Sequence, residues 1–510
     1  MVMRRMVAWV VAASSACGGG GSGDDEGSSG EAVTGGPVTD ATSGAPATGE
    51  PTSADTGAAT STGPGPEPTT GGTGSSGESS DGGESSSGDE TGQVTNCADE
   101  CHYVRAGAAG SGADWADAMP TLPDALVRGH VYFVAAGDYP GYTFDDPEAG
   151  DAEIRVLRAS DDDHGTDVGW DPAYAGGEAV FGEIAVMTGR HRIDGRGAAR
   201  AVGGFQSTVV AIGGSAVTFR GFDVDGAFQL TDGKHTGGAC TGMGISGDDV
   251  VVAANRIHDA ADDGVVMSGL VNLSFAGNIV HTLHGCGTDG DCGPCYNGHS
   301  DGLELFDVKN SEIVGNMIYG ITSTSAVFFG NWADELGMGP AEYCEDVLLA
   351  NNILYSPGTG FVAYIEDARG IQVLHNVMWG LHQGAYGGLS IGTHVADLDI
   401  YNNAILSINY KHIGGTYDPA QHRGDYNLFA YSLGQWQDGP HDVVAADPKF
   451  AAIPGGEGPA VDAPQAADFA PQVDSPLRDA GFAGDADIVL PAVDYFGAPR
   501  NETPNLGAIE

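Results

Sequence analysis

The sequence predicts an all-β solenoid with three short strands per coil, preceded by a long disordered tether. Three observations predict it. An Asn followed two residues later by an apolar side chain recurs through the second half of the chain. On either side of each Asn, short runs alternate apolar and polar residues, the period of a strand and not of a helix. Residues 18–95 contain no Lys, no Arg and no aromatic residue, so they cannot bury enough apolar surface to offset chain entropy.

Taken in chain order, the first element reads as an export signal. Arg4 and Arg5 precede a short apolar run, Val7 to Ala13, too short to span a bilayer as a helix. Ser14-Ser15-Ala16-Cys17 follows and resembles a bacterial lipobox, whose Cys is lipidated, although Ser14 stands where Leu is usual. Lipidation of Cys17 is the expectation, and cleavage after Ala16 to give a free secreted protein is the alternative. Gly18 is not the Asp of the inner-membrane retention signal, so an outer-membrane or cell-surface lipoprotein is expected. Residues 1–17 are thus a signal peptide and 18–95 a flexible Gly/Ser/Thr/Asp/Glu-rich tether.

The remaining residues, about 410 of them, exceed a usual single globular domain. Either there are two domains or the architecture grows by repetition. Charge narrows the partners. With 70 Asp and Glu against 20 Lys and Arg, nucleic acid is excluded for want of a basic patch. A polyanion would need a bridging cation. Eight cysteines in an exported chain imply disulfides. Cys240, Cys286, Cys292, Cys295 and Cys344 are expected to be mostly bonded, and Cys97 to pair with Cys101. The Cys286, Cys292, Cys295 spacing superficially resembles a zinc knuckle but lacks two well-spaced ligand pairs.

The repeat runs through Asn255, Asn278, Asn316, Asn352, Asn376 and Asn403, at spacings of 23, 38, 36, 24 and 27 residues. The long spacings contain insertions, so the underlying period lies in the twenties, as in solenoids. Before each Asn lies an alternating strand, such as Leu273 with Phe275 or Ile371 with Val373. A second strand follows it, then a turn, then a third strand: Val265-Val266-Met267, Leu303-Glu304-Leu305, Val327-Phe328-Phe329, Phe361-Val362-Ala363 and Leu389-Ser390-Ile391. The outer two residues of each triplet should point inward and the middle one outward. The Asn itself is expected at a corner, in a left-handed backbone, with its amide bonded to the Asn one coil away.

This pattern resembles the right-handed parallel β-helix, the pectate-lyase-like superfamily, from about Val131 to Phe450. Val131 to Gly141 looks like its opening strand and Ile154 to Ala159 like its first coil. Asp447-Pro-Lys-Phe450, Asp474 to Gly481, Phe496 to Arg500 and Asn505 to Glu510 resemble the closing segment of secreted members. The resemblance implies a β-helix over 96–450 and a capping segment over 451–510, since end coils otherwise expose strand edges. It does not fix an activity, because the fold hosts lyases, hydrolases, epimerases, adhesins and phage tailspikes. Lyases of this kind commonly use a Lys or Arg base. Lys234, Arg256, Lys309, Arg369 and Lys411 are available, but none sits in a matching motif.

The coil register points to one acidic site. Asp263-Gly264-Val265 should lie over Asp301-Gly302-Leu303, which puts Ala261 over His299, Asp262 over Ser300 and Val266 over Glu304. Asp263, Asp301, Glu304 and His299 are the candidate acid, base or ligand groups, and Asp262, Asp263 and Asp301 the candidate ligands for Ca²⁺, the one cofactor the acids suggest. Insertions at 227–241, 285–298 and 330–344 should wall a groove over them, pinned by disulfides. The alternative is a solvated Asp-Gly turn ladder. His258, His281, Tyr319, Tyr355 and Trp379, each three residues after an Asn, form either an outward platform for sugar rings or a packed stack that seats the tail. No Walker loop, dinucleotide fingerprint or nucleophile elbow is present. The expected protein is therefore a monomer acting on extracellular polysaccharide as lyase or glycoside hydrolase, touching a membrane only through its lipid. The alternative is a non-catalytic glycan-binding or adhesin-like surface protein.

Overall fold

A computed structural model describes residues 100–510, apart from 232–233, 285–294, 296–299, 322–323, 331–342, 356–360, 381–386, 408–412, 416–417, 431–438, 446 and 454–462. The signal peptide, Cys17, the tether and Cys97 lie outside the described residues.

The chain is a right-handed parallel β-helix. Among the described residues thirty-one strands pair in parallel into one continuous wound sheet. A separate antiparallel hairpin, Gln229–Thr231 with Lys234–Gly237, belongs to the first insertion. Each coil has the expected order. Val265–Val271 leads to Ser274–Ala276, then across Asn278 to Ile279–Leu283, and then to Leu303 of the next coil. The stack includes a strand ahead of Val131, inside the expected 96–450 range. Cys101–Val104 pairs with Val131–Val134, which pairs with Ile154–Arg158. No described helix is long and apolar enough to cross a membrane.

The interior is one apolar column. It is filled by inward residues of all three strands, such as Val265, Met267, Phe275 and Val280. The Asn residues stand in a single row. The Oδ1 of Asn278 accepts both from the backbone N–H of Asn255 at 2.9 Å and from its side-chain amide at 3.1 Å. The same pair of bonds recurs through Asn316, Asn352, Asn376 and Asn403 to Asn427, a seventh member. The left-handed residue at this corner is not the Asn but the one before it: Ala254, Gly277, Gly315, Asn351, His375, Asn402 and Tyr426 all have φ near +60°. That conformation turns the chain so that the Asn amide can enter the wall.

One further expectation is corrected. Val327 pairs with Ala363, so the inward triplet of that coil is Ala363-Tyr364-Ile365 and not Phe361-Val362-Ala363. The carboxy-terminal segment covers an outer face as well as following the last coil. Phe450, Phe469, Leu477, Leu506 and Ile509 pack on the outward residues Tyr319, Tyr355, Trp379 and Leu406. Asn402 holds this segment by accepting from Phe482 N and donating to Phe482 O.

Candidate functional site

The register of the acidic turn is as expected. Val265 pairs with Leu303 and Val266 with Glu304, so Asp263 and Asp301 stand one above the other. Asp301 N donates to Asp263 Oδ1 at 2.8 Å, and Ser325 N to Asp301 Oδ1 at 2.6 Å. Each Asp therefore spends one oxygen holding the backbone of the next coil, whereas each Asn oxygen accepts from the backbone of the coil before it. Glu304 brings in a third carboxylate. One oxygen from each of Asp263, Asp301 and Glu304 lies within 4.8 Å of the others. The three are 3%, 2% and 3% exposed. Burial first, and then the charges of Glu304, Asp262 and Asp301, push the Asp263 carboxyl well above the usual carboxylate range. Asp263 therefore keeps its proton to a higher pH than an exposed Asp.

Two sequence expectations change here. Glu304 occupies the outward position of its triplet but is buried. Most of the second and third insertions, expected to wall a groove over Asp263, Asp301 and Glu304, lie outside the described residues. A depression of about 400 Å³ lies in the tail, lined by Asp447, Lys449, Phe450 and Asp474 among others. Asp262 does not join the converging set, and Glu304 takes its place. His299 lies outside the described residues.

The same turn carries a second cluster that the sequence did not reveal. His258 Nε2 bonds Asp223 Oδ1 at 2.8 Å and its Nδ1 bonds Asp259 Oδ2 at 2.6 Å. Asp259 Oδ1 bonds His284 Nε2 at 2.9 Å. Burial alone would lower the His258 pKa, but the bonds to Asp223 and Asp259 outweigh it and hold the pKa above the usual value. Arg256 Nε donates to His281 Nε2 at 2.9 Å, and the His281 Nδ1–H faces Thr282 Oγ1 at 2.8 Å. His281 is thus a neutral ring, its pKa brought down to about 4 by burial and by the neighbouring His258 and Arg256 charges. Arg200 contacts Asp225 on the coil below.

The row of His258, His281, Tyr319, Tyr355 and Trp379 is stacked and faces outward, with rings parallel within 7° between the two histidines and 4° between His281 and Tyr319. It is not an exposed sugar platform. All five are buried, and Tyr319, Tyr355 and Trp379 pack in the cluster with Phe469 of the tail. The row is the seat of the tail at one end and a stacked wall at the other. On the first insertion, Phe228 stacks on His284 at 4.0 Å and on His235 at 5.2 Å. Among the described residues the exposed phenylalanines are Phe205, at 54%, and Phe496 of the tail, at 57%.

A disulfide between Cys240 and Cys295 ties the first insertion to the second, as expected, and Cys101 is also disulfide-bonded. Cys344 is free, an unpaired member of a set expected to be mostly and not wholly bonded. It is wholly buried in the wall, and burial pushes its thiol up to about 12. Cys286 and Cys292 lie outside the described residues.

No protein-family profile matches the chain, and no curated protein is similar to it. Solved structures are similar to it at low identity. The pectate lyase Pel9A is 13% identical, with 82% of this chain and 97% of that one covered and a TM-score of 0.43. The surface adhesin PfbA of Streptococcus pneumoniae is 10% identical, with 60% and 78% covered and a TM-score of 0.30. A variant of the periplasmic alginate epimerase AlgG is 11% identical, with 64% and 78% covered and a TM-score of 0.32.

Proposed function

We propose that this is an exported, surface-anchored β-helix protein that acts on extracellular polysaccharide, by lyase or glycoside hydrolase chemistry, at the turn running from His258 to Asp263 and its neighbour at Asp301 to Glu304. One observation carries the reading: three carboxylates converge within 4.8 Å inside the wall of the coil, an arrangement costly to stability unless a proton or cation is held there. Asp263 is the proton-holding carboxyl, suited to general acid work. Asp301 and Glu304 are the candidate partner carboxyls, and a retaining acid and nucleophile pair would hold its carboxyls roughly 5–5.5 Å apart.

The donor set consists of carboxylate oxygens, which suits Ca²⁺. Asp263, Asp301 and Glu304 would hold that ion, which would neutralise them and offer a positive charge to a uronate carboxylate. The export and anchoring part of the reading is supported by the Arg4-Arg5 and Val7–Ala13 pattern, by Cys17 and by the tether composition. Extracellular polysaccharide is the substrate class because an acidic site favours neutral sugars, or uronates bridged by a cation.

A second reading, a non-catalytic glycan-binding or adhesin-like surface protein, has an observation of its own: Asp263 and Asp301 are satisfied by backbone N–H groups and almost wholly buried. A depolymerisation screen on a polysaccharide panel separates the two. New reducing ends, with or without the absorbance of unsaturated uronates, support the enzyme and distinguish hydrolase from lyase. Loss of product in EDTA supports Ca²⁺. Binding to a glycan with no product on any member supports the second reading.

A further inference from the structure

A cluster beside the acidic triad, with Asp225 and His258 buried and Asp259 partly exposed, has the makings of a metal centre of its own. One ligand atom from each of Asp225, His258 and Asp259 lies within 4.8 Å of the others. His258 Nδ1 stands 2.6 Å from Asp259 Oδ2 and 4.0 Å from Asp225 Oδ1. His284 Nε2 reaches the other oxygen of Asp259 at 2.9 Å. With metal–ligand bonds of about 2.0–2.2 Å, ligand atoms around a tetrahedral ion sit roughly 3.3–3.6 Å apart. The 2.6 and 4.0 Å contacts among Asp225, His258 and Asp259 bracket that spacing, so shifts below about an ångström would bring these three around an ion, whereas His284 stands outside the converging three and would have to swing in from its contact with Asp259.

We propose that Asp225, His258, Asp259 and His284 form a binding site for a divalent first-row transition ion of the Zn²⁺ class. Its surroundings supply what such a centre needs besides ligands. Asp223 Oδ1 engages His258 Nε2 at 2.8 Å, which fixes the ring so that Nδ1 faces Asp225 and Asp259. A carboxylate behind a ligating imidazole is the usual outer partner of such a site. Both rings are clamped by stacking: His281 lies parallel to His258 at 5.0 Å, and Phe228 to His284 at 4.0 Å. Arg200 contacts the Oδ2 of Asp225, and Ala227 N donates to Oδ1 at 2.7 Å, which orients that carboxylate while leaving it a lone pair. Arg256 stands 4.0 Å from Asp223, on the far side of His258. The side chains of Asp259 and His284 are 36% and 32% exposed, so an ion enters from their side. Two imidazoles with two carboxylates favour zinc and its neighbours over Ca²⁺.

The test is a calorimetric titration of the chelator-treated full chain with Zn²⁺, with Ca²⁺ as control and circular dichroism to verify folding. His258 is buried, so the variants are chosen on the open side. Wild type should bind one Zn²⁺ equivalent that His284→Gln and Asp259→Asn bind at least about 10-fold more weakly. Asp223→Asn, which touches no ion, should weaken it by about 10–100-fold. Asp301→Asn should leave it unchanged, which separates this site from the acidic triad. The proposal is overturned if wild type binds no Zn²⁺, if His284→Gln and Asp259→Asn bind it as wild type does, or if Ca²⁺ binds the same equivalent as tightly.

Discussion

Asp263 shows how one buried carboxyl ties stability to chemistry. Its pKa is raised by burial and by Glu304, Asp262 and Asp301, so the folded state binds that proton more tightly than the unfolded chain does. The associated stability is fully present below the unfolded carboxylate value and is lost as pH rises through the folded one. Asp263→Asn keeps the acceptor for Asp301 N and removes the charge. Thermal melts should therefore show the variant level with wild type near pH 4 and more stable than it at pH 7; a variant less stable at pH 7 than at pH 4, relative to wild type, contradicts the assignment. His375 works in the opposite sense. It is buried behind the tail, and burial together with Arg500 holds its pKa well below the usual value. The unfolded chain takes up that proton first, so stability present above about pH 6.5 is lost as pH falls. His375→Gln should flatten the fall in melting temperature between pH 7 and 5, and an unchanged slope would show that other groups drive it. The Asp263 and Asp301 pair was legible because Asp-Gly precedes an apolar triplet in both coils. Asp223 and Asp225 were not, because Phe222 stands in their coil where the Asn should be, its N–H donating to Asn255 Oδ1, and without that marker the coil could not be registered.

At the scale of the element, the corner ladder and the strand register behave differently under sequence reading. A slip of two residues keeps every side chain on its own face. Phe361-Val362-Ala363 and Ala363-Tyr364-Ile365 therefore fit the alternation equally well, and only the pairing of Val327 with Ala363 decides between them. The Asn row was legible because nothing else at that corner can both accept from and donate to its neighbours. Asn316 accepts from Asn278 N and Nδ2 and donates to Phe275 O and Asn352 Oδ1. Asn316→Ala should leave the buried N–H of Asn278 unpaired and cost about 3 kcal/mol in chemical denaturation; a loss under about 1 kcal/mol would mean that the ladder relaxes around a gap. The aromatic row makes a second test. Trp379 stacks on Tyr355 at 4.3 Å within the cluster that seats the tail. Trp379→Ala should destabilise the fold by about 3–5 kcal/mol and leave the affinity for any glycan unchanged in the molecules that remain folded. What hid this from the sequence is that an outward aromatic looks the same whether solvent or another segment of the chain covers it.

Over the whole molecule, the coil is a rigid scaffold whose acids and histidines gather at one turn, where two insertions joined by Cys240 and Cys295 arrive. The tether is proposed to carry this unit and not to shape it. Deleting residues 18–95 should leave the melting temperature within a few degrees of the intact chain, and a drop of many degrees would refute that. Fold class and coil order could be read before any coordinates because a solenoid repeats its own evidence every coil. The site could be read only in part, because alternation places Glu304 outward and says nothing of its burial. Asp301 is proposed to work in polysaccharide chemistry and not only in the wall. Asp301→Asn retains the acceptor for Ser325 N, so a change in activity reports chemistry and not folding. On whichever polysaccharide the wild type depolymerises, the variant should lose at least about 10²-fold in rate, with its melting temperature unchanged or raised. A folded Asp301→Asn protein that cleaves as fast as wild type would make the stacked carboxylates a turn ladder and place the chemistry elsewhere.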